Sequence, residues 1–549
     1  MRHFLLAITL SVSVAAAATT ARFDNFLYVG NDSLYESMSL DSPGDYFNPV
    51  ISGWASDPSV VNRGEDYWLV TSTFGYFPGV PIYHSSDLMT WRQVGNVLSR
   101  PSQLPWLEGV SLGKGGIYAP AINYNPANGL FYMITTCVNG SESINFYVTA
   151  TDPASEWSDP IVLDDVHGID PSFFFDDNGK AYIVHKADEH SPVKWSNYRA
   201  LAIIEFDTQT GKTVGSPVLF KEEGVGPEEK LERNEGPHIY KINGTYYLIA
   251  AEGGTSWCHS EVCYKAKSVY GPWRRWSRNP MLTQRLQKAN RPDPVTCAGH
   301  ADLVKKDGKW YAVFLGCRPW SDETEHLGRE TFMMPVRWSA DSFPYITQNL
   351  DVVPLKSNSG INAVQQSGQS GNFRWSDDFK GSSLDPSWLS LWGSADKYIS
   401  LKKGLTMECA PLTPASKKTP AYIGRRMQHH DFEVTTTVTL GKGASGNDAA
   451  GILLVKSEQR FVFLGLTQTG FKVLKPGGEI VAATSVETVN RAIDLKVESR
   501  DGKYVLSYRK ANSDEPYTTL AAVPRDYLSS KTGGFTGSTV GLFATSVGL

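Results

Sequence analysis

The chain has 549 residues, 41% of them apolar, with 52 basic and 57 acidic side chains and a formal net charge of −5. Two domains fit in that length, and the near-balanced charge argues against a nucleic-acid or anionic-membrane partner, which would need a strongly basic face. The 15 Trp, 25 Tyr and 24 Phe serve a large β-rich core and also suit sugar binding, where ring faces pack on the apolar faces of pyranosides.

At the start, Arg2 and His3 precede the apolar run 4–10, and the small residues Ala15 to Ala18 follow. That is the pattern of a secretory signal peptide over residues 1–18, and the run is too short to span a bilayer. The expected product is secreted and extracellular, with no membrane partner. Sequons at Asn31-Asp-Ser, Asn139-Gly-Ser and Asn243-Gly-Thr fit a glycoprotein.

From about residue 46 one pattern recurs five times: a small residue or an acid, a turn former, an apolar strand, a polar turn and an aromatic-rich strand. The copies begin at Asp57-Pro-Ser-Val-Val, Ala119-Pro-Ala-Ile, Asp170-Pro-Ser-Phe-Phe-Phe, Glu235-Gly-Pro-His-Ile-Tyr and Gly299-His-Ala-Asp-Leu-Val. Repeats of roughly 50 to 66 residues, each reading as a β-hairpin, match four-stranded propeller blades. The expected fold is all-β, with a five-bladed β-propeller over residues 46–355. Residues 356–372 are polar and rich in Gly and Ser, as in a linker. Residues 373–549 carry short alternating runs such as Phe432-Glu-Val-Thr-Thr-Thr-Val-Thr-Leu, the pattern of an antiparallel β-sandwich.

The six cysteines are Cys137, Cys258, Cys263, Cys297, Cys317 and Cys409. In an oxidising compartment Cys258 and Cys263 could close a small surface loop. With His259 beside them the spacing matches no zinc pattern, so no metal site and no cofactor is expected.

In a propeller the first strand of each blade lines the axis, so the residues heading those strands converge on one face. Three of the five copies place an acid there: Asp57, Asp170 and Glu235. One acid beside Pro or Gly is ordinarily a turn former. Three at one repeat phase repel each other, a cost that catalysis would explain. Glycoside hydrolysis needs two carboxyl groups flanking the scissile bond, one protonated and one ionised. A third can hold the acid's pKa up by like-charge repulsion.

Taken in order, the segments Asn48-Pro-Val-Ile, Asp57-Pro-Ser, Thr71-Ser-Thr-Phe-Gly-Tyr-Phe-Pro-Gly, Gly115-Gly-Ile-Tyr-Ala-Pro, Gly168-Ile-Asp-Pro-Ser, Asn234-Glu-Gly-Pro-His-Ile-Tyr-Lys and Leu327-Gly-Arg-Glu-Thr resemble glycoside hydrolase family 43. The likeness is to its two-domain β-xylosidases and α-L-arabinofuranosidases. It implies an inverting mechanism with Asp57 as general base, Glu235 as general acid, and Asp170 orienting that acid and holding its pKa up. It also implies that Arg329 contacts the base and the sugar hydroxyls, that Phe74 and Tyr118 line the pocket, and that His300 sits on the axis beneath. Read alone, Phe74 and Tyr118 could equally be core, and His300 a satisfied buried histidine.

Asp377-Asp-Phe and Arg425-Arg-Met-Gln-His-His-Asp-Phe-Glu resemble the concanavalin-like sandwich appended to these enzymes. One of its loops reaches over the pocket in that group. Gly534-Phe-Thr-Gly is the matching segment and nominates Phe535, which could instead pack inside the sandwich. Three departures stand out: Gly53-Trp-Ala-Ser precedes the base where a bulkier aromatic-Pro sequence is usual, Tyr118 replaces a common Trp, and Val547-Gly-Leu arrives before the last strand that the resemblance implies. The expected activity is release of terminal β-D-xylose from xylan or xylo-oligosaccharides. The alternatives are an α-L-arabinofuranosidase debranching arabinoxylan and, from another class, a non-catalytic carbohydrate-binding propeller.

Overall fold

The computed structural model describes residues 19–187, 198–223, 233–288, 290–320, 324–362, 368–402, 404–486, 488 and 491–547. The expected signal peptide, the centre of the linker and the last two residues lie outside them. Almost all regular structure is β, and the only α-helix among the described residues is the single turn Ser33–Glu36.

The first part of the chain forms successive sheets, antiparallel but for the short parallel pair Glu222–Glu223 with Trp273–Arg275, whose first strands are Ser59–Arg63, Gly116–Asn125, Ile169–Phe175, Glu235–Ile242 and Thr296–Lys306. Each first strand pairs with the next strand in sequence through a short turn. Two of these turns are Asn243-Gly244 (φ 49° and 74°) and Asp307-Gly308 (φ 51° and 78°). Positive φ at both positions is the type I′ geometry that matches strand twist, and Asn-Gly and Asp-Gly adopt it readily. The five first strands touch one another in chain order, and the fifth touches the first.

The second part packs two sheets face to face. One has six strands in the order Tyr422–Arg426, Thr539–Thr545, Ala449–Ser457, Arg460–Thr467, Gly470–Lys475, Glu479–Ser485. The other is centred on Phe432–Leu440, where buried and half-buried residues alternate, so one side chain in two enters the core. Phe432, Leu464, Leu495 and Val540 meet in that core.

One finding departs from the sequence reading. Residues 19–45 lie before the expected propeller, yet Thr20–Phe23 and Phe26–Gly30 pair with Leu405–Glu408, Arg374–Asp377 and Phe432–Leu440, inside the larger sandwich sheet. The sandwich is therefore built from both ends of the chain. The last described strand, Thr539–Thr545, lies between two partners rather than at an edge.

Cys258 and Cys263 form no disulfide. Cys258 is exposed, whereas Cys263 is buried in the strand Ser260–Ala266 with its thiol directed at Asn279 and the Pro344 carbonyl. Among the described residues no group of three or more His, Cys, Asp or Glu is placed to hold a metal ion.

The two parts share a core in which Trp54, Phe74 and Tyr76 pack with Leu453, Phe463 and Phe543. Tyr76–Phe77 pairs with Ser390–Leu391 across the joint, and the Trp392 indole N–H donates to the Val110 carbonyl at 2.7 Å. Three histidines are packed into the same joint. The rings of His326 and His430 stack at 5.4 Å, and His429 bonds the Tyr28 hydroxyl and the Gly371 carbonyl. Burial lowers all three pKa values, that of His430 to about 3.

In the unfolded chain each would titrate near 6.5. Their contribution to stability is therefore complete above that pH, and is lost as pH falls from about 6.5 toward the folded values. Urea midpoints measured between pH 7.5 and 4.5 are expected to fall with acidification, and less so in His430→Phe. Equal slopes for the two proteins would sink this account.

Candidate active site

Each of the five first strands carries, in its first half or just before it, a residue with left-handed backbone: Asp57 (φ 55°), Ala119 (φ 28°), Asp170 (φ 55°), Gly236 (φ 57°) and His300 (φ 51°). The first four precede Pro58, Pro120, Pro171 and Pro237. This conformation is costly outside Gly, less so for Asn and Asp, and such residues gather at functional sites. It also corrects the expectation that the three acids share one repeat phase. Asp57 and Asp170 do, but Glu235 stands one residue earlier, and Gly236 holds the turn in its copy. At that turn a side chain is excluded twice over, by φ and because a Cβ would come within 2.7 Å of the His300 ring.

Asp57 is buried. Its Oδ2 accepts hydrogen bonds from Ser72 Oγ at 2.6 Å and Ser56 Oγ at 3.0 Å. Its Oδ1 accepts from Arg329 Nη1 at 3.2 Å and lies 3.7 Å from His300 Nδ1. Burial alone would raise this carboxyl, but Arg329, His300 and the two hydroxyls outweigh it and hold the pKa below the usual carboxylate value. Ser72 Oγ in turn accepts the Ala119 N–H at 2.7 Å, tying the first copy to the second.

The opposite behaviour is found at Asp170 and Glu235. Asp170 is buried, and its Oδ2 accepts the Gly236 N–H at 3.2 Å. Burial, and then the charge of Glu235, push its pKa up to about 8. At neutral pH Asp170 therefore keeps its proton beside the Glu235 carboxyl. Lys186 Nζ lies 3.3 Å from Glu235 Oε2, in a half-closed setting where both side chains are less than a fifth exposed. Sequence reading passed over Lys186, because a lone lysine at a strand end carries no pattern.

Three aromatic rings gather beside Arg329, with Phe74 buried in the joint core and Tyr118 and Phe535 half-buried against it. Phe74 meets Tyr118 edge-on at 5.4 Å and Phe535 at 6.2 Å, while Tyr118 and Phe535 meet at 6.0 Å. The Arg329 guanidinium sits 5.9 Å from the Phe74 ring centre and 5.5 Å from that of Phe535. The Tyr118 hydroxyl donates to the Lys114 carbonyl. Phe535 belongs to the sandwich but docks on the first part of the chain. Its N–H donates to the Gly113 carbonyl at 2.6 Å, and its carbonyl accepts from Arg329 Nε at 3.4 Å. Lys456, buried in the sandwich, donates to the Thr536 carbonyl of the same loop.

All eight residues singled out from sequence (Asp57, Asp170, Glu235, Phe74, Tyr118, His300, Arg329 and Phe535) thus meet in one site. The departure at residues 53–56 has a structural explanation. Trp54 does not face the pocket; it is fully buried at the domain joint, 4.8 Å from the Tyr76 ring and 4.3 Å from the Arg426 guanidinium. The arrangement offers one carboxylate held ionised and, separately, a buried carboxyl that retains its proton beside a second acid. That is the division of labour that glycoside hydrolysis requires.

Comparison with known proteins identifies the family. Residues 46–344 match Glycosyl hydrolases family 43, and residues 376–548 match the Beta xylosidase C-terminal Concanavalin A-like domain. A xylosidase/arabinosidase of Butyrivibrio fibrisolvens is 33% identical over 524 residues, covering 91% of this chain and 96% of its own. A non-reducing end alpha-L-arabinofuranosidase of Bacteroides ovatus is 34% identical over 514 residues, covering 91% of each chain. The crystal structure of a GH43_12 retrieved from capybara gut metagenome superposes with a TM-score of 0.86 at 37% identity, covering 95% of this chain and 99% of that one. The chain therefore belongs to glycosyl hydrolase family 43, with a propeller-type all-β domain followed by a concanavalin A-like domain.

Proposed function

We propose that the protein is a secreted, inverting exo-glycosidase that releases terminal β-D-xylose from xylan or xylo-oligosaccharides on a five-bladed propeller. The ring of contacts among the five first strands supports the blade count, and the N-terminal run before Ala18 supports secretion. The observation that carries the activity is the electrostatic split between Asp57 and the Asp170–Glu235 pair. Asp57, ionised and oriented by Ser72 and Arg329, takes a proton from the attacking water. Glu235 delivers a proton to the departing oxygen, and Asp170, hydrogen-bonded by Gly236, orients that acid. Arg329 neutralises the base and, with the rings of Phe74, Tyr118 and Phe535, closes a pocket around the terminal sugar.

A second reading, an α-L-arabinofuranosidase, is favoured by the arabinosidase names of two relatives that span nearly the whole chain. Aryl β-D-xylosides and α-L-arabinofuranosides assayed with wild type and Glu235→Ala separate the readings. Turnover of the xyloside is expected, with the proton of the released sugar's anomeric centre showing inversion by NMR. The variant is expected to lose far more on a phenyl than on a dinitrophenyl xyloside, because only the poorer leaving group needs a proton. Equal losses on both would remove Glu235 from the acid role, and turnover of the arabinofuranoside alone would install the second reading. Failure on both sugars would leave a binding protein.

A further inference from the structure

A cleft of about 960 Å³ lies between the fourth and fifth sheets of the first part, away from the carboxylates. Its floor comes from the turn ends of the hairpins whose opposite ends carry Glu235 and His300. Glu235 begins an eight-residue strand and Ile242, which lines the cleft, ends it. At roughly 3.3 Å per residue this separates cleft and acid by about 20 Å. None of the eight active-site residues lines it.

Its lining is unusual for a chain with a net charge of −5. Lys265, Lys267, Arg274 and Lys305 border it, and no Asp or Glu does. Lys267, Arg274 and Lys305 are exposed and face no carboxylate partner among the described residues, Lys267 Nζ donating to the Thr245 hydroxyl at 3.3 Å. Lys265 is the half-buried member. Its Nζ sits 4.2 Å from the Phe343 ring centre, and the Arg274 guanidinium sits 5.3 Å from the same ring. Burial, and then Arg274, lower the Lys265 pKa against the opposing charge of Asp341, whose carbonyl accepts from Lys265, so Lys265 and Arg274 repel each other across the cleft. An anionic occupant would relieve that repulsion.

The rest of the lining is aromatic. Trp338 is 37% exposed, a high value for its type, and is braced edge-on by the buried Tyr247 at 5.6 Å and 83°. Trp310 stands half-buried on the same cleft. Braced, partly exposed indoles provide apolar faces for pyranose rings, and unpaired cations beside them select for carboxylates.

From this juxtaposition we propose that the cleft is a second glycan site, which holds a polysaccharide bearing uronic acid carboxylates while the distant pocket trims sugar ends. The proposal rests on the reading of the protein as a polysaccharide-active enzyme, but not on which pentose it releases. Its occupant carries carboxylates and sugar rings together. A phosphate or sulfate polymer would satisfy the cations and leave Trp338 without a role.

The test is affinity electrophoresis, with glucuronoxylan in the gel, of the full chain made in a bacterial host, since a glycan on Asn243 would stand at the rim of the cleft. Wild type is expected to be retarded by glucuronoxylan. It should be retarded several-fold less by the same polymer after reduction of its carboxyl groups, and less again at high salt. The triple variant Lys267→Ala/Arg274→Ala/Lys305→Ala should lose at least ten-fold in affinity for the acidic polymer, and Trp338→Ala should weaken both polymers. Turnover of aryl pentosides should be unchanged in both variants, which also shows that they fold. Equal retardation by native and reduced polymer, an unchanged triple variant, or stronger binding to dextran sulfate that ignores Trp338→Ala would each overturn the proposal. Loss of aryl pentoside turnover in wild type would instead count against the activity, leaving the polymer result to stand by itself.

Discussion

Asp57→Asn is expected to lower kcat/KM on aryl xylosides by about 10²–10⁴-fold, the usual contribution of a positioned general base, while the fold persists. The reason lies in what the substitution changes and what it keeps. Asn has the shape of Asp and tolerates the left-handed backbone (φ 55°) at this position, and its side-chain oxygen still accepts from Ser72. What goes is the negative charge that burial opposes and that Arg329, His300 and two hydroxyls sustain. An amide cannot take the proton of an attacking water, and Arg329 loses its counter-ion. The check is steady-state kinetics beside circular dichroism. Residual activity above a tenth, with an unchanged spectrum, would dismiss Asp57 as the base.

The largest expected stability effect is at the domain joint. Arg318 Nε and Nη2 hold the Glu330 carboxylate at 2.6 and 2.9 Å, Nη1 reaches Asp32 at 3.4 Å, and Nη2 reaches the Gln428 carbonyl at 3.5 Å. Glu330 also accepts the Gly53 N–H at 2.8 Å. Both side chains of the main pair are almost fully buried, at 4% and 0% exposure. Asp32 comes from the N-terminal segment and Gln428 from the sandwich, so one guanidinium binds three stretches of chain together. Glu330→Ala removes the closer of the two carboxylates that neutralise a buried cation and should cost about 3–5 kcal/mol in urea unfolding. Asp32→Asn/Arg318→Met/Glu330→Met removes all three charges and should cost far less, because burying ion pairs carries its own desolvation cost. If the triple variant were as unstable as the single one, the joint would depend on these charges for their attraction rather than for their mutual neutralisation.

Much of this was legible in the sequence because it was periodic. The Pro that follows each left-handed residue recurs in four copies, so Asp57, Ala119 and Asp170 announce themselves. The one-residue offset of Glu235 did not, because Gly236 and Pro237 look like any other turn until the backbone shows which of them occupies the shared position. Phe535 could be named only through resemblance. Its neighbours Gly113 and Arg329 are hundreds of residues away, and a lone Phe between glycines has no periodicity to read. The strands Thr20–Phe23 and Phe26–Gly30 were missed for the same reason. Four or five residues with partners beyond residue 370 give no local signal.

That long-range pairing sets an order of events during synthesis. Residues 20–30 leave the ribosome early, but their hydrogen-bonding partners between residues 374 and 440 follow some 350 positions later. At 5–20 residues per second, the two early strands wait roughly 20 to 70 seconds with unpaired edges. The sheets bearing Asp57, Asp170 and Glu235 can close in that interval, because their pairings are local. The sandwich cannot, and Phe535 reaches the pocket only after it has formed. The enzyme would thus acquire its carboxylates first and its complete sugar pocket last, with the early strands open to wrong partners in between.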